Sequence, residues 1–231
     1  MNAGKSTNLL QAAYNYEERG MRVRLFTAAL DNRTGVGVIG SRLGLQRQVE
    51  TFGPETEFSL EGLGAGIACV LIDEAQFLTH EQVQQLHRLA HRGGPPILCY
   101  GLRSDFRGVA FPGSAALLTL ADDLEEMKTI CACARKASMN LRVDGDGRRV
   151  KEGEQVVIGG NERYRAVCPS CFYAEDDDEV AAPGLFGCSA GPPRVASQML
   201  GKMRAAPTAW YQPGASPSSH QASPAAYSGE R

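Results

Sequence analysis

The sequence has no surplus of charge of either sign. Its 24 Lys and Arg stand against 26 Asp and Glu, a formal net charge of −2 over 231 residues. No basic excess is available to neutralise phosphates, so a general nucleic-acid or membrane-surface binder is not expected. Long apolar runs are also missing, and no stretch approaches the roughly 20 residues that cross a bilayer. Met1 leads straight into polar residues without an apolar leader core, so a cytoplasmic setting is expected. In that reducing setting the seven cysteines, where they pair, point to metal before disulfide. The length suits one ordinary domain plus a smaller unit or tail.

Half of a motif is missing as well. Met1, Asn2, Ala3, Gly4, Lys5, Ser6 and Thr7 end in Gly-Lys-Ser-Thr, the closing half of a phosphate-binding loop. In such a loop backbone N–H groups and the lysine cradle phosphates, and the hydroxyl reaches Mg²⁺. The first small residue of the pattern, and a strand ahead of it, would precede Met1. A chance Gly-Lys-Ser at a helix start is the plain alternative. Residues 8–19 do read as the following helix, with Leu9, Ala13 and Tyr16 at helical spacing and Gly20 as a stop.

Residues 21–27 alternate and are rich in β-formers, so a strand follows the helix, the rhythm of a parallel α/β sheet. Gly35, Gly37 and Gly40 match a dinucleotide fingerprint, but no strand runs into them and no strong helix leaves; a mobile loop is expected. Residues 69–72 (Cys-Val-Leu-Ile) read as a strand buried on both faces, ending in Asp73-Glu74. Ligands bind at that end of strands in open α/β sheets. An Asp there can hold Mg²⁺ and a Glu can accept a proton, which the phosphate loop favours over the plain alternative of an acidic turn after a core strand. Residues 79–91 form a helix opened by a Thr79–Gln82 capping box. His87 and His91 lie one turn apart on it with no third ligand at suitable spacing, which favours a solvated face. Residues 97–101 read as a strand, 114–120 as a short helix, and 124–130 as the last strand of the sheet. On the loop 101–113, Leu102, Phe106 and Phe111 either line a pocket for a planar ring or fold under the loop.

Cys131-x-Cys133 and Cys168-x-x-Cys171 are two close pairs whose four thiolates suit a closed, structural tetrahedral Zn²⁺ site. Between them, residues 139–143 and 155–158 are expected to form a β-ribbon around a turn at 144–147. Such a ribbon is too small to stand without a clamp. From residue 174 on, an acidic run and a tail rich in Ala, Pro, Ser and Gly read as disorder. Cys188, His220 and Trp210 lie there without evident partners.

Together these residues resemble thymidine kinase of the cellular, zinc-containing type, in a bacterial-like form. The resemblance runs from Met1 to about Cys171, through Met1 to Thr7, residues 71–78, 102–108, 136–138 and 156–164, and both cysteine pairs. It implies an α/β P-loop (RecA-like) parallel sheet with helices on both faces over residues 1–130. A small zinc-clamped β-ribbon, the lasso, covers 131–173, and a disordered tail covers 174–231. The implied reaction moves the γ-phosphoryl of ATP to the 5′-hydroxyl of thymidine or deoxyuridine. By motif, Met1 to Thr7 hold the phosphates, with Ala75, Gln76, Asp31 and Arg33 nearby. Ser6 and Asp73 hold Mg²⁺, and Glu74 is the general base. Met1, Phe77, Leu102, Phe106 and Phe111 surround the thymine ring. Gln155, Val156, Val157, Ile158 and Gly159 read the base edge, with Tyr164 beside them. Implied partners are thymidine, ATP, dTTP as feedback inhibitor, and three further copies in a homotetramer, with no nucleic acid and no membrane. The family carries a strand ahead of the loop, which this sequence does not include. Competing readings are a P-loop ATPase whose zinc ribbon grips nucleic acid, and a truncated, inactive thymidine kinase.

Overall fold

Gly4 adopts a left-handed conformation (φ 73°, ψ 20°) that glycine reaches at no steric cost, and the first helix follows it at once. The computed structural model describes residues 3–33, 35–160 and 162–174, all within one compact unit, Met1–Ser189. Met1, Asn2 and the tail from residue 175, with Cys188, Trp210 and His220, lie outside the described residues. The elements run α1 (Lys5–Glu17), β1 (Arg22–Ala28), β2 (Val38–Gly40), β3 (Gln46–Gln48), β4 (Glu50–Phe52), α2 (Leu60–Leu63) and β5 (Ile67–Ile72). A 3-10 turn (Ala75–Phe77) leads to α3 (His80–His91), β6 (Ile97–Cys99) and α4 (Pro112–Leu120). The last elements are β7 (Thr129–Ile130), β8 (Lys136–Ala137), β9 (Met139–Arg142), β10 (Tyr164–Val167) and α5 (Pro169–Ala174).

The main sheet has the order β4-β1-β5-β6, and every pairing in it is parallel. The run 69–72 is completely buried because both faces of β5 are covered. Cys69 and Leu71 face one way, with Leu25 and Ile39, onto Leu9, Leu10 and Ala13 of α1. Val70 and Ile72 face the other, with Phe26, Phe52 and Phe58, onto Val83, Leu86 and Leu89 of α3 and Ala116 of α4. Parallel strands need crossovers; α3 supplies the one from β5 to β6 on one face while α1 covers the other, giving the expected α/β sheet with helices on both sides. The capping box of α3 is formed: the Thr79 hydroxyl accepts from the Gln82 N–H at 3.1 Å, and Gln82 Oε1 accepts from the Thr79 N–H at 2.9 Å. Gln82 also donates to the Gly53 and Thr56 carbonyls at 2.7 and 2.8 Å, so the cap ties down the loop after β4.

Three expectations are corrected. Residues 124–130 add no strand to the main sheet; β7 pairs antiparallel with β8 instead. Asp122, Asp123, Glu125 and Glu126 make that approach too polar for a strand covered on both faces, and it stays largely exposed. Residues 155–158 belong to no strand. The partner of β9 is β10, in the register Tyr164↔Arg142 to Val167↔Met139. β10 runs directly into Cys168, so this pairing carries the second cysteine pair to the first. Lastly, the glycine-rich loop contains β2, paired antiparallel with β3. Ile39 anchors that hairpin in the core at 1% exposure, and Gly35, Gly37 and Gly40 serve its turns and strand.

Because Leu71 fills the centre of the sheet with no exposed surface, Leu71→Ala is expected to lower stability by about 3 kcal/mol. Urea unfolding followed by circular dichroism should show a lower midpoint with an unchanged slope.

Candidate active site

The register Leu25↔Leu71 and Phe26↔Ile72 brings the C-terminal ends of β1 and β5 level, with β6 beside them. The segments leaving these strands therefore gather at one edge, the usual ligand edge of a parallel sheet. α1 begins there too. No side chain caps its first turn, and no acidic residue lies in it. Its free N–H groups and dipole favour an anion, with Lys5, Ser6 and Thr7 half-buried around them. The Ser6 hydroxyl donates to Asp73 Oδ2 at 2.7 Å, joining the start of α1 to the end of β5. Burial, and then the charge of Glu74, push the Asp73 carboxyl up to about 6, against the lowering effect of the Ser6 hydroxyl. A buried carboxylate whose charge is so poorly offset suits a place where a divalent cation arrives with its ligand.

Glu74 is held more tightly. Its backbone lies in the left-handed region at φ 52°, which costs a non-glycine residue about 1 kcal/mol. Both carboxylate oxygens are engaged. Oε1 accepts from Arg33 at 2.6 Å and Oε2 from Gln76 Nε2 at 2.6 Å. Arg33 also forks onto Asp31 at 2.7 Å through two nitrogens, and Asp31 and Glu74 together raise its guanidinium well above its ordinary value. Gln76 is buried, and its Oε1 accepts from the Leu102 N–H at 3.0 Å, which orients its amide toward Glu74. A Cβ at Gly101 would come within 3.0 Å of both Gln76 N and Oε1, so the close approach needs glycine there.

Glu74, Gln76, Asp31 and Arg33 line one side of a cavity that Phe77, Leu102, Phe106 and Phe111 share with the polar Ser104, Asp105 and Asn140. Phe77 and Phe111 meet edge to face with ring centroids 6.0 Å apart, and Leu102 and Phe106 close the floor. Residues 155–159 and Tyr164 complete the lining. Every ring-pocket and base-edge residue named from the sequence, Met1 excepted, thus opens onto this one cavity, and the loop aromatics of 101–113 do not merely fold under themselves. Ala3, Gly4, Lys5, Ser6 and Thr7 adjoin it through the Ser6–Asp73 bond, and Ala75 is buried in the turn below.

The four paired cysteines also converge. One Sγ from each of Cys131, Cys133, Cys168 and Cys171 lies within 4.8 Å of the others, with Cys133 3.6 Å from both Cys168 and Cys171. The Cys171 N–H points at Cys168 Sγ at 3.4 Å, and the Arg135 N–H holds the Cys133 thiol below its usual range, as suits thiolate donors. A Cys171 sulfur held in a disulfide could not also serve as a thiolate, so a metal here and a Cys171 disulfide exclude one another. Four sulfurs brought to one point by two separate turns fit a tetrahedral metal better than a single disulfide, which would use one of them.

A phosphate-type helix start, a strand-end carboxylate pair, a ring pocket and a four-cysteine cluster now stand in one chain. The family model for thymidine kinase matches residues 1–172. The chain belongs to the thymidine kinase family. It is 62% identical over 182 residues to the thymidine kinase of Albidiferax ferrireducens, covering 79% of this chain and 92% of that protein. It is 61% identical over 173 residues to that of Chromobacterium violaceum, with 75% and 94% covered. The match to the thymidine kinase of Rhizobium meliloti is 56% over 174 residues, with 73% and 89% covered.

In this thymidine kinase family member the segment 155–159 is held by side chains, since it joins no ladder; of those that hold it, Tyr164 is expected from the sequence, whereas Arg142, Asp105 and Asn140 are not. Arg142 is buried, lies 3.9 Å over the Phe106 ring, and donates to the Glu154 and Glu152 carbonyls at 2.7 and 2.8 Å. Asp105 accepts from Gln155 at 3.2 Å and from Arg107. Burial works to raise its carboxyl, but the Val109 and Arg107 N–H groups hold it low. The Tyr164 hydroxyl donates to the Val157 carbonyl at 2.7 Å. Asn140, buried in β9, faces the same cavity. The S-D-F-R-G turn was a usable signal for Asp105; nothing local marked Arg142, whose partners lie across a turn. Arg142→Ala is expected to free residues 152–159, because each hydrogen bond from a charged donor is worth roughly 1.5–3 kcal/mol. Limited trypsin digestion should cut after Lys151 at least about tenfold faster, and Arg142→Lys should not restore protection, since lysine lacks the stacking plane and the fork.

Proposed function

We propose that the chain transfers the γ-phosphoryl group of ATP to the 5′-hydroxyl of thymidine, and of deoxyuridine, giving the nucleoside monophosphate for pyrimidine deoxynucleoside salvage. The observation that carries this reading is the location of the Glu74 carboxylate. It lies one residue from the Asp73 that bonds Ser6, and it forms part of the wall of the ring pocket. A base there has the phosphate-binding helix start on one side and the nucleoside pocket on the other. The thymidine kinases matched at 56–62% identity support the same substrate.

In this reading the α1 N–H groups and Lys5 receive the phosphates, with Met1, Asn2, Ala3, Gly4 and Thr7 completing the loop. The base stacks among Phe77, Leu102, Phe106 and Phe111. Backbone groups of residues 155–159 read its edge, which suits a small pyrimidine because the lasso is anchored close to Phe106. Glu74 accepts the 5′-hydroxyl proton; Arg33 and Gln76 hold its two oxygens in place. Mg²⁺ entering with ATP, at Ser6 and Asp73, would neutralise charge on the phosphate oxygens. Phosphoryl transfer asks the protein mainly for this positioning and charge stabilisation.

The four cysteines fit one structural Zn²⁺, which would clamp β7–β8 to the start of α5 and so fix β9, β10 and the lasso. Residues 1–130 then serve as the kinase body and 131–173 as the zinc and lasso unit. The end product dTTP, carrying the same base, is the expected feedback inhibitor, and a cytoplasmic homotetramer is the expected form. Among the described residues no helix is long and apolar enough to cross a membrane.

Glu74→Gln is expected to lower kcat with thymidine and ATP by roughly 10²–10⁴-fold with little change in KM, in steady-state assays. Wild-type turnover in that variant would remove Glu74 from its role. Metal analysis should give about one zinc per chain, and Cys133→Ser should lose both the zinc and several degrees of Tm. A zinc-free chain of unchanged stability would speak against the clamp.

A further inference from the structure

His87 and His91 stand one turn apart near the end of α3, with ring centroids 4.5 Å apart. The sequence offers them no third ligand, but the fold supplies one. The chain leaving α4 brings Asp122 against His91, with Oδ2 3.2 Å from Nε2. One donor atom from each of the three residues lies within 4.8 Å of the others. Donors bonded to one tetrahedral ion at about 2.0–2.2 Å stand about 3.3 Å apart, so the His91–Asp122 pair already has the spacing. All three side chains are at least partly exposed, so His87 can close the remainder by rotating.

The surrounding charge favours a cation. Asp122 directly follows Ala121, the C-cap of α4, and His91 is the last residue of α3. Two helix C-termini therefore meet at the cluster, and the negative end of each peptide dipole array attracts positive charge. A carboxylate at such a point is poorly placed unless a cation offsets it. None of the three residues lines the ring pocket or belongs to the cysteine cluster.

We propose that His87, His91 and Asp122 form a second metal site, taking one divalent transition ion of the class that prefers imidazole and carboxylate donors, such as Zn²⁺ or Ni²⁺. With three protein ligands and open solvent, water fills the rest of the coordination shell. The ion bonds the end of α3 to the segment after α4, the two helices that cover one face of the sheet. Its effect falls on stability and not on the chemical step, because an ion bound by the folded chain alone shifts the folding equilibrium toward it.

The test uses the full chain with its cysteine-site zinc content measured first, titrated with Ni²⁺ alone. The site predicts one nickel per chain in addition to that zinc, and a rise in Tm of about 5–10 °C at nickel a hundredfold above its Kd. His91→Gln and Asp122→Asn change exposed side chains, and they should keep the metal-free Tm to within a few degrees. They should also keep kinase turnover without nickel, while losing the bound equivalent and the shift. No additional nickel at millimolar free metal in the wild-type chain would overturn the proposal. So would equal binding and an equal Tm shift in both variants.

Discussion

Two carboxylates at the buried end of a strand are expensive to fold, since burial and the neighbouring Glu74 charge raise Asp73 to about 6 and Glu74 sits in a strained left-handed conformation. The chain meets that cost with a continuous hydrogen-bond chain: Ser6 to Asp73, Arg33 and Gln76 to Glu74, and the Leu102 N–H to Gln76. Each link comes from a different segment: the start of α1, the loop after β1, the turn after β5 and the loop after β6. The parallel register delivers all four to one edge. The hydrogen bonds then lock them there, so the geometry of the candidate site and the fold become one problem.

The ring pocket depends on a second layer of the same kind. Its upper lip, residues 155–159, has no strand partner and owes its position to Arg142, Asp105 and Tyr164. Arg142 stacks on Phe106 while reaching the Glu152 and Glu154 carbonyls, so one guanidinium couples the lip to the floor. β9 carries Arg142, and its pairing with β10 also brings Cys168 to Cys131 and Cys133. The structural metal proposed at the cysteines would therefore bear on the pocket through the β9–β10 pair, without touching it.

Much of this was legible in the sequence, for reasons that can be named. The run Cys69 to Ile72 had to be buried on both faces because four apolar residues in succession have no polar side to expose. Thr79 and Gln82 announced α3 because their spacing satisfies two backbone donors at once, and both bonds are present. Phe77, Leu102, Phe106 and Phe111 were named by motif, and these four line one cavity. What was missed depends on distant partners. Residues 155–158 look like a strand because Val and Ile favour strands, but their alternation cannot say which segment pairs with β9. Residues 124–130 carry β-formers at the end of an acidic approach that no two-faced strand can bury. Asp122 is one acidic residue among several until the fold sets it beside His91. Arg142 is an ordinary strand arginine until Phe106 arrives beneath it.

The central claim is that Glu74 sits between a phosphate-binding helix start and a nucleoside pocket so that the γ-phosphoryl group passes to a bound nucleoside and not to water. The most direct measurement is ³¹P NMR of the purified chain with MgATP in the presence and absence of thymidine. The account predicts that ADP appears with thymidine present, matched one to one by thymidine 5′-monophosphate, with little ADP formed without it. Equal ADP formation with and without thymidine, and no nucleoside monophosphate signal, would contradict it.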